Sequence, residues 1–203
     1  MRVIATMMVV MGCAGGTLAQ QLHTLVLTGD ALPGHPGVSI WRVTNAGDAF
    51  AQPVVNSAGH AAFTAPTRTT GGLVRRALMV HDGAAARVLA FETDPVPGIP
   101  GQTIRTIRDV HVADDGSVWA VIVTTTSSRA ICRWRPDGTT SSVADTSGQS
   151  ALQVDRHGRA MFFPGVVGSP RVGDDPTTLA PLYEGMPTVS GAPGLGCRAT
   201  RRW

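Results

Sequence analysis

An internal repeat constrains this chain more than any other feature, because self-similarity at a fixed offset indicates an array of similar units. Residues 25–37 read LVLTGDALPGHPG, and residues 89–101, 64 positions later, read LAFETDPVPGIPG. In both copies an apolar run ends in a polar turn segment with an Asp and leads into Pro-Gly-x-Pro-Gly. The match predicts that the chain builds the same local structure at least twice.

A second recurring element reads NSAGHAAF at 56–63, ADDGSVWA at 113–120 and DRHGRAMF at 155–162. Each copy lies between two apolar runs, which is typical of a hairpin. Asn or Asp can close such a turn through its side chain, and Gly accepts the positive φ that ends it. Small and aromatic residues then enter the core on the returning strand. The residues predicted to have this structural role are Asn56, Gly59, Ala62, Phe63, Gly116, Trp119, Asp155, Gly158 and Phe162.

A third element, ALMVHDG at 77–83 and AICRWRPDG at 130–138, ends in an Asp-Gly turn. In the second unit the pattern predicts four strands, at 104–112, 117–124, 130–135 and 139–144. The second of these is nearly all apolar, as expected for a strand that is covered on both faces. Four short antiparallel strands per unit is typical of a propeller blade. The sequence therefore predicts an all-β fold of propeller-like, four-stranded antiparallel blades.

The chain divides into five predicted segments. They are a signal peptide at 1–19, a first repeat at 20–83, a second at 84–138, a shortened third at 139–178, and the start of a fourth with an irregular tail at 179–203. Closed propellers have about 4–8 blades, so two to three repeats predict an incomplete, unclosed propeller. We expect its open strand edges to be capped or to allow self-association.

Composition agrees with this interpretation and excludes one class of function. The 24 Gly and 14 Pro, with only 15% charged residues, favour short strands and tight turns. The net charge of +3 comes from Arg198, Arg201 and Arg202, because the other 14 arginines are matched by 14 acidic residues. A nucleic-acid binder needs a clustered basic face, so no nucleic-acid partner is expected.

The N-terminus has the features of an export signal: a basic start, an apolar run and a small-residue cleavage site that ends at Ala19. The apolar run is too short to span a bilayer, so no transmembrane segment is predicted. Cleavage after Ala19 would release a secreted, periplasmic or extracellular protein that begins at Gln20. Alternatively, residues 10–13 (VMGC) resemble a lipobox, and Cys13 would carry a lipid anchor.

The residues at 56–63 match every fixed position of the pattern NxxGxxAF. The chain thereby resembles the NxxGxxAF tandem-repeat proteins, exported bacterial proteins often described as choice-of-anchor. The segment 27–37 (LTGDALPGHPG) is similar to the opening of that family's repeat, and the likeness covers most of residues 22–194. The resemblance implies an extracellular or surface-exposed β repeat with no assigned reaction.

Residues that could carry chemistry are present, but their spacing favours structural roles, and no catalytic residue, cofactor or metal ligand is predicted. The six histidines have no metal-ligand spacing, and the pairs at 114–115 and 174–175 lack the EF-hand pattern. Asp30 and Asp94 occupy equivalent positions and could converge on a cation, although an Asp at a strand end is usually a turn former.

Aromatic and cysteine residues leave further alternatives. Trp41, Trp119 and Trp134 could stack on a sugar, but the approximate alignment of Trp119 with the phenylalanines of the other two motif copies favours a place in the core. Cys132 is expected to be a small buried apolar residue, and its pairing with Cys197 is left open.

Three functional hypotheses follow. The leading one is a non-catalytic secreted or cell-surface β-repeat protein that binds an unidentified protein or glycan, or has a structural role. The first alternative is a metal-dependent propeller hydrolase that resembles lactonases, with carboxylates from several blades around a central metal. The second alternative is a non-functional fragment of a longer repeat protein.

Overall fold

The computed structural model describes residues 8–9, 23–24, 28–41, 53–145, 150–164 and 170–181. Apart from one 3-10 turn at Pro176–Thr178, the regular structure in these ranges consists of antiparallel β-strands, which confirms the predicted all-β fold. The strands are β1 Met8–Val9, β2 His23–Thr24, β3 Val38–Ile40, β4 Val54–Val55, β5 Ala61–Thr69, β6 Val74–His81, β7 Ala86–Phe91, β8 Ile104–Val112, β9 Val118–Thr124, β10 Arg129–Trp134, β11 Thr140–Asp145, β12 Ser150–Val154, β13 Ala160–Pro164, β14 Arg171–Gly173 and β15 Ala180–Pro181.

Three sheets follow one another along the chain. The first sheet has the order β3-β5-β6-β7, and β4 also pairs with β5; the second is β8 to β11 and the third β12 to β15, each in sequence order. The strands β1 and β2 form a separate pair. Sheets of four strands that meander in chain order are consistent with propeller-like blades, and the described part of the chain leaves the array unclosed.

The sheets are offset by one strand from the repeats seen in the sequence. The strand β7 opens the predicted repeat 84–138, yet it pairs with β6 of the first sheet. In the same way β11 pairs with β10, and β15 pairs with β14. The turns at Asp82-Gly83 and Asp137-Gly138 therefore join the third and fourth strands of one sheet, where each Gly has a positive φ.

The Pro-Gly-x-Pro-Gly segments fold into the same loop in both copies. In the first loop Leu32 N donates to Val38 O at 2.9 Å and Ile40 N to Asp30 O at 2.9 Å. Five backbone hydrogen bonds of this loop recur 64 residues later with the equivalent partners. The two glycines also repeat their positive φ, with 75° and 76° at Gly34 and Gly37, and 67° and 74° in the second loop.

The strand that opens each sheet is built differently in the first two sheets: it is divided into two short strands in the first and continuous in the second. In the first sheet, β3 and β4 pair with opposite ends of β5. In the second sheet, β8 is one strand that crosses two register shifts, and Asp109 within it has a φ of 46°. A strand that must absorb extra residues while it keeps pairing does so through such irregularities.

The sheets stack face to face. Each sheet has a rear face, towards the preceding sheet, and a front face, towards the next, because alternate side chains of a strand point to opposite sides. The first junction joins the front face of the first sheet (Ala62, Leu78, Val80, Ala90) to the rear face of the second (Val96, Ile104, Ile107, Val112, Val118, Ala120, Ile122, Ala130, Cys132, Trp134). The second junction joins Trp119, Val121 and Ile131 to Leu152, Ala160 and Phe162 of the third sheet.

The central strand β9 is covered on both faces by these junctions. Six of its seven residues are buried, with Val123 the exception. This confirms the prediction made from its nearly continuous apolar sequence. Burial of each Val or Ile side chain contributes on the order of 1.5–3 kcal/mol, so β9 is the main apolar link between the two junctions.

Candidate functional site

The Asn-x-x-Gly hairpin turn of the first sheet is closed by its own Asn. Asn56 N donates to His60 O at 3.0 Å, and Gly59 N donates to Asn56 O at 3.2 Å. The side-chain Oδ1 of Asn56 accepts from His60 N at 2.8 Å, while Gly59 has a φ of 86°. These contacts give Asn56 and Gly59 the turn-forming geometry that their residue types favour.

The other two copies share this turn with small changes. Asp155 Oδ1 accepts from the backbone of both His157 and Arg159 at 2.9 Å, and Gly158 has a φ of 81°. In the second copy the Asn position holds Ala113, which has no polar side chain. Asp115 replaces it, because its Oδ1 accepts from Ser117 N at 2.8 Å.

The three turns are hydrogen-bonded to one another in a row. Asn56 Nδ2 donates to Ala113 O at 2.6 Å, and Ser57 donates to Asp114 through its backbone N at 3.0 Å and its Oγ at 2.6 Å. Asp114 N in turn donates to Arg156 O at 2.8 Å. The motif thus closes its own hairpin and also binds the next sheet, a role that local turn chemistry alone does not predict.

Two further details show how close the turns lie. Gly116 has a φ of 78°, which favours glycine, and a Cβ there would stand 3.1 Å from His60 Nδ1, so the His60 side chain would have to shift. The hydrogen bond from the Ser57 hydroxyl holds the pKa of Asp114 below its usual value, with smaller contributions from the backbone of Ser57 and from Arg156. The carboxylate therefore stays ionised and accepts from Ser57 throughout the neutral range.

Arg133, on β10, forms a buried polar link between the second and third sheets. Its guanidinium donates to Asp115 Oδ2 at 2.9 Å, to Ser117 Oγ at 3.1 Å and to the carbonyl oxygen of Asp174. Burial of Asp115 opposes its ionisation, but hydrogen bonds from Ser117 and Arg133 outweigh burial and lower its pKa. The residue before Arg133, Cys132, faces the other junction, so β10 serves both.

A second charged pair lies beside the first. Arg135 binds Asp175, whose Oδ2 also accepts from Ser141 Oγ at 2.7 Å and whose Oδ1 accepts from Thr177 N at 2.9 Å. Burial raises the pKa of Asp175, yet the bonds from Thr177, Ser141 and Arg135 prevail and lower it to about 2. Asp175 also caps the 3-10 turn, so it fixes the third sheet to the edge of the second.

His111 adds a third polar contact across the same junction. Its Nε2 lies 2.9 Å from the carbonyl oxygen of Leu152 on β12. Burial lowers the pKa of His111, although this hydrogen bond and the charge of Asp109 act in the opposite direction. A neutral imidazole protonated at Nε2 donates to this carbonyl and so links β8 to β12.

Trp119 lies in the core, as predicted, and the structure refines its approximate alignment with the motif phenylalanines. Counted from the turn glycines, Phe63 and Phe162 are equivalent, whereas Trp119 stands one residue earlier, at the position of Ala62. A shift of one residue reverses the face. Trp119 therefore points forward into the second junction and is fully buried, while the two phenylalanines point to the rear.

The other tryptophans have different surroundings. Trp134 is buried in the first junction, so neither it nor Trp119 offers a surface for a sugar. Trp41 is partly exposed and lies under the guanidinium of Arg68, 4.1 Å from its ring centroid. A ring occupied by its own cation is a poor stacking platform unless Arg68 moves aside.

The acidic and cysteine residues take local roles. Asp94 Oδ2 accepts from Phe91 N at 2.8 Å, and its Oδ1 lies 3.7 Å from Arg75. Within the described ranges, no group of three or more His, Cys, Asp or Glu side chains is placed to hold a metal ion. Cys132 is buried, as predicted, and its thiol is free; burial raises the pKa of this thiol to about 12. Cys197, Cys13 and the cleavage site at Ala19 lie outside the described residues.

Comparisons with protein-family models, with curated proteins and with solved structures found no match to the chain. Among the described residues there is also no helix with the length and apolar character needed to cross a membrane.

Proposed function

We propose that this protein is a non-catalytic, exported β-repeat scaffold that has a structural role at the cell surface or binds a protein or glycan there. The observation that carries the proposal is the row of hydrogen-bonded turns. Polar side chains that could carry chemistry, namely Asn56, Asp114, Asp115, Arg133 and Asp175, form turns or join sheets instead. A chain that commits its polar residues in this way gains rigidity, which suits a scaffold.

Export is the second part of the proposal and is supported by the sequence. The apolar run and the small-residue site before Gln20 are typical of a cleaved signal peptide. The resemblance of residues 56–63 to the NxxGxxAF repeat proteins supports the same location. Mass spectrometry of protein recovered from an expressing bacterium tests it. A mature N-terminus at Gln20 supports simple export, a diacylated Cys13 supports a lipid anchor, and an intact Met1 in the cytoplasm contradicts both.

Catalysis is tested directly with a panel of lactone and ester substrates, with calcium or zinc added. The scaffold proposal predicts that these substrates hydrolyse no faster with the protein than in buffer alone. Turnover that a chelator abolishes, that Asp94→Asn removes and that Asp137→Asn leaves intact would establish the hydrolase alternative. Asp137 is a suitable control because it is an exposed turn residue whose Oδ1 accepts only from Thr139.

Binding is tested on arrays of bacterial and host polysaccharides and of extracellular matrix proteins. A structural role without a ligand predicts no saturable signal, whereas a binding role predicts one that survives Asp137→Asn. The ligand class follows from the array spot that is bound.

A further inference from the structure

The turn between β5 and β6 exposes two large apolar side chains next to each other. Leu73 is 57% exposed and Val74 is 53% exposed, and together they form the tip of this hairpin. In the described part of the chain one further large apolar side chain is exposed, that of Phe163, and it lies apart on β13 of the third sheet. Adjoining exposed apolar side chains, unlike single ones, mark a place of contact with a partner.

The turn itself does not require these apolar residues, because the second sheet builds the same turn without them. Thr69 N donates to Leu73 O at 3.0 Å, and Thr124 N donates to Ser128 O at 2.8 Å. In the second sheet this turn is made of hydroxyl side chains that hydrogen-bond to one another. The first hairpin therefore has an apolar residue, Leu73, at a position where the same turn accepts Ser128.

The first hairpin also reaches farther than the second. The Asn-x-x-Gly turns at their bases are hydrogen-bonded to each other, so the two hairpins start level. The strands β5 and β6 then form eight residue pairs before their turn, whereas β9 and β10 form six. Two additional pairs lengthen a hairpin by about 7 Å. The tip therefore projects beyond the second sheet, and a hydrogen bond of 2.8 Å from Thr70 N to Gly37 O holds it against the neighbouring loop.

An aromatic ring and a cation lie directly behind the tip. Arg68 pairs with Val74 across the hairpin, and its guanidinium lies 4.1 Å from the ring centroid of Trp41. Among the described residues, Arg68 has no carboxylate partner. Arg75 contributes less positive charge, because Asp94 lies 3.7 Å from its guanidinium.

This order of side chains along the hairpin matches the layers of a membrane surface. Apolar side chains suit the boundary of the acyl chains, a tryptophan suits the interfacial layer, and an arginine suits the phosphates of anionic lipids. A site for a small molecule is concave, and a protein interface surrounds a broad apolar core with a polar rim. The tip, in contrast, is convex and has the width of one hairpin.

We infer that the β5–β6 tip binds the surface of a membrane that contains anionic lipids. Leu73 and Val74 insert at the acyl boundary, and Arg68 lies at the headgroup phosphates. Because only two apolar side chains insert, the association should be weak and reversible. The tip lies at the other end of the sheets from the row of turns, so this inference goes beyond the scaffold proposal and does not depend on it.

Co-sedimentation of the purified full chain with lipid vesicles tests the inference. Vesicles of phosphatidylcholine alone are compared with vesicles of phosphatidylcholine mixed with phosphatidylglycerol, and the wild type should bind the mixed vesicles more strongly. Leu73→Ser should lower the partition coefficient about fivefold, because it removes about half of a buried Leu side chain from the membrane. Arg68→Gln should reduce the preference for the mixed vesicles about fivefold, because one charge contact with an anionic surface is lost.

Two matched variants are the controls, and neither should change the partition coefficient. Phe163→Ser removes the exposed apolar side chain that lies away from the tip. Arg87→Gln removes an arginine that pairs with Val80, at the end of β6 that is distant from the tip.

Hydrogen exchange in the presence of mixed vesicles locates the contact. The vesicles should protect residues 69–74 and leave the equivalent turn at 124–128 unprotected. The inference is overturned if the wild type binds neither kind of vesicle, which would favour a protein partner for the tip. It is also overturned if Phe163→Ser weakens binding as much as Leu73→Ser, if Arg68→Gln keeps the full preference for mixed vesicles, or if both turns are protected equally.

Discussion

The junction between the first and second sheets is mainly apolar, whereas the junction between the second and third sheets combines a small apolar cluster with buried charge. Fourteen buried residues form the first cluster and six form the second. Across the second junction lie His111, Arg133 and the pair Arg135–Asp175, while the first is supplemented chiefly by the contacts of Asn56 and Ser57. The same repeat therefore makes two interfaces of different chemistry.

The difference follows from the size of the third sheet. Its strands have five, five, three and two residues, whereas β8 and β9 have nine and seven. Short strands present less apolar area, and each Å² of buried apolar surface contributes only about 25 cal/mol. Charge-assisted hydrogen bonds, each worth about 1.5–3 kcal/mol, offset part of this loss. The second junction should consequently respond to pH and to the loss of single polar groups.

Trp119→Ala should have the largest effect, because Trp119 is the largest apolar side chain in the smaller junction. We expect it to lower the free energy of unfolding by about 3–5 kcal/mol, measured by urea denaturation. Trp41→Ala is the control, since Trp41 is only partly buried and should cost much less. A loss below about 1 kcal/mol for Trp119→Ala would show that the sheets do not pack through this face.

Arg133→Met should have the next largest effect on the free energy of unfolding. It keeps the length of the side chain but leaves Asp115 Oδ2 and the carbonyl of Asp174 without this donor; because the Asp115 side chain is 48% exposed, we expect a loss of about 1–3 kcal/mol. Arg87→Met is the matched control, because Arg87 is more exposed than Arg133 and makes one long contact, 3.5 Å, with Pro136 O. Equal effects of the two variants on thermal unfolding would contradict a buried polar link.

Acid should weaken the second junction before the first. The pKa of Asp175 is lowered from 3.8 to about 2, so its contribution is fully present above pH 3.8 and is lost as the pH falls through 2. Solvent screening at this partly exposed pair limits the contribution to about 1 kcal/mol. The Asp175→Asn variant should have a lower free energy of unfolding than the wild type at pH 6. Its free energy of unfolding should also fall less steeply as the pH is lowered below about 4. If the variant and the wild type lose stability equally as the pH falls, Asp175 is excluded as the cause of the acid sensitivity.

Thr93→Gly should have the smallest effect, and in the opposite direction. Thr93 has a φ of 82° where the equivalent loop has Gly29 at 95°, and a β-branched residue is strained there. Relief of the strain should stabilise the loop before the second sheet by about 1 kcal/mol. Gly29→Thr should destabilise the first loop by a similar amount. Calorimetry should therefore show a raised Tm for Thr93→Gly and a lowered Tm for Gly29→Thr. Destabilisation by Thr93→Gly would show that the loops are not equivalent.

The second sheet could be predicted from sequence almost in full. Strands expected at 104–112, 117–124, 130–135 and 139–144 are observed within one residue of these bounds. The prediction worked because turn residues and apolar runs are local signals there. The division of the first strand into β3 and β4 was not predicted, because pairing at opposite ends of β5 depends on long-range register.

The contacts between sheets could not be predicted from the sequence for a related reason. Nothing local indicates that Asn56 reaches Ala113, 57 residues away, or that Arg133 reaches Asp174. The sequence predicted that Trp119 lies in the core, which the structure confirms, but its approximate alignment with the phenylalanines did not say which face of the sheet it occupies. Turn glycines are the better anchor, since their φ fixes the register of the strand that follows.

Native-state hydrogen exchange, followed by mass spectrometry at pH 6 and pH 2, tests the difference between the junctions most directly. Protection should be greatest in β9, which is covered on both faces. At pH 2 the protection of the third sheet, residues 150–164 and 170–181, should fall more than that of β5, β6 and β9. Loss of protection in all three sheets together, in a single step, would contradict two junctions of different chemistry.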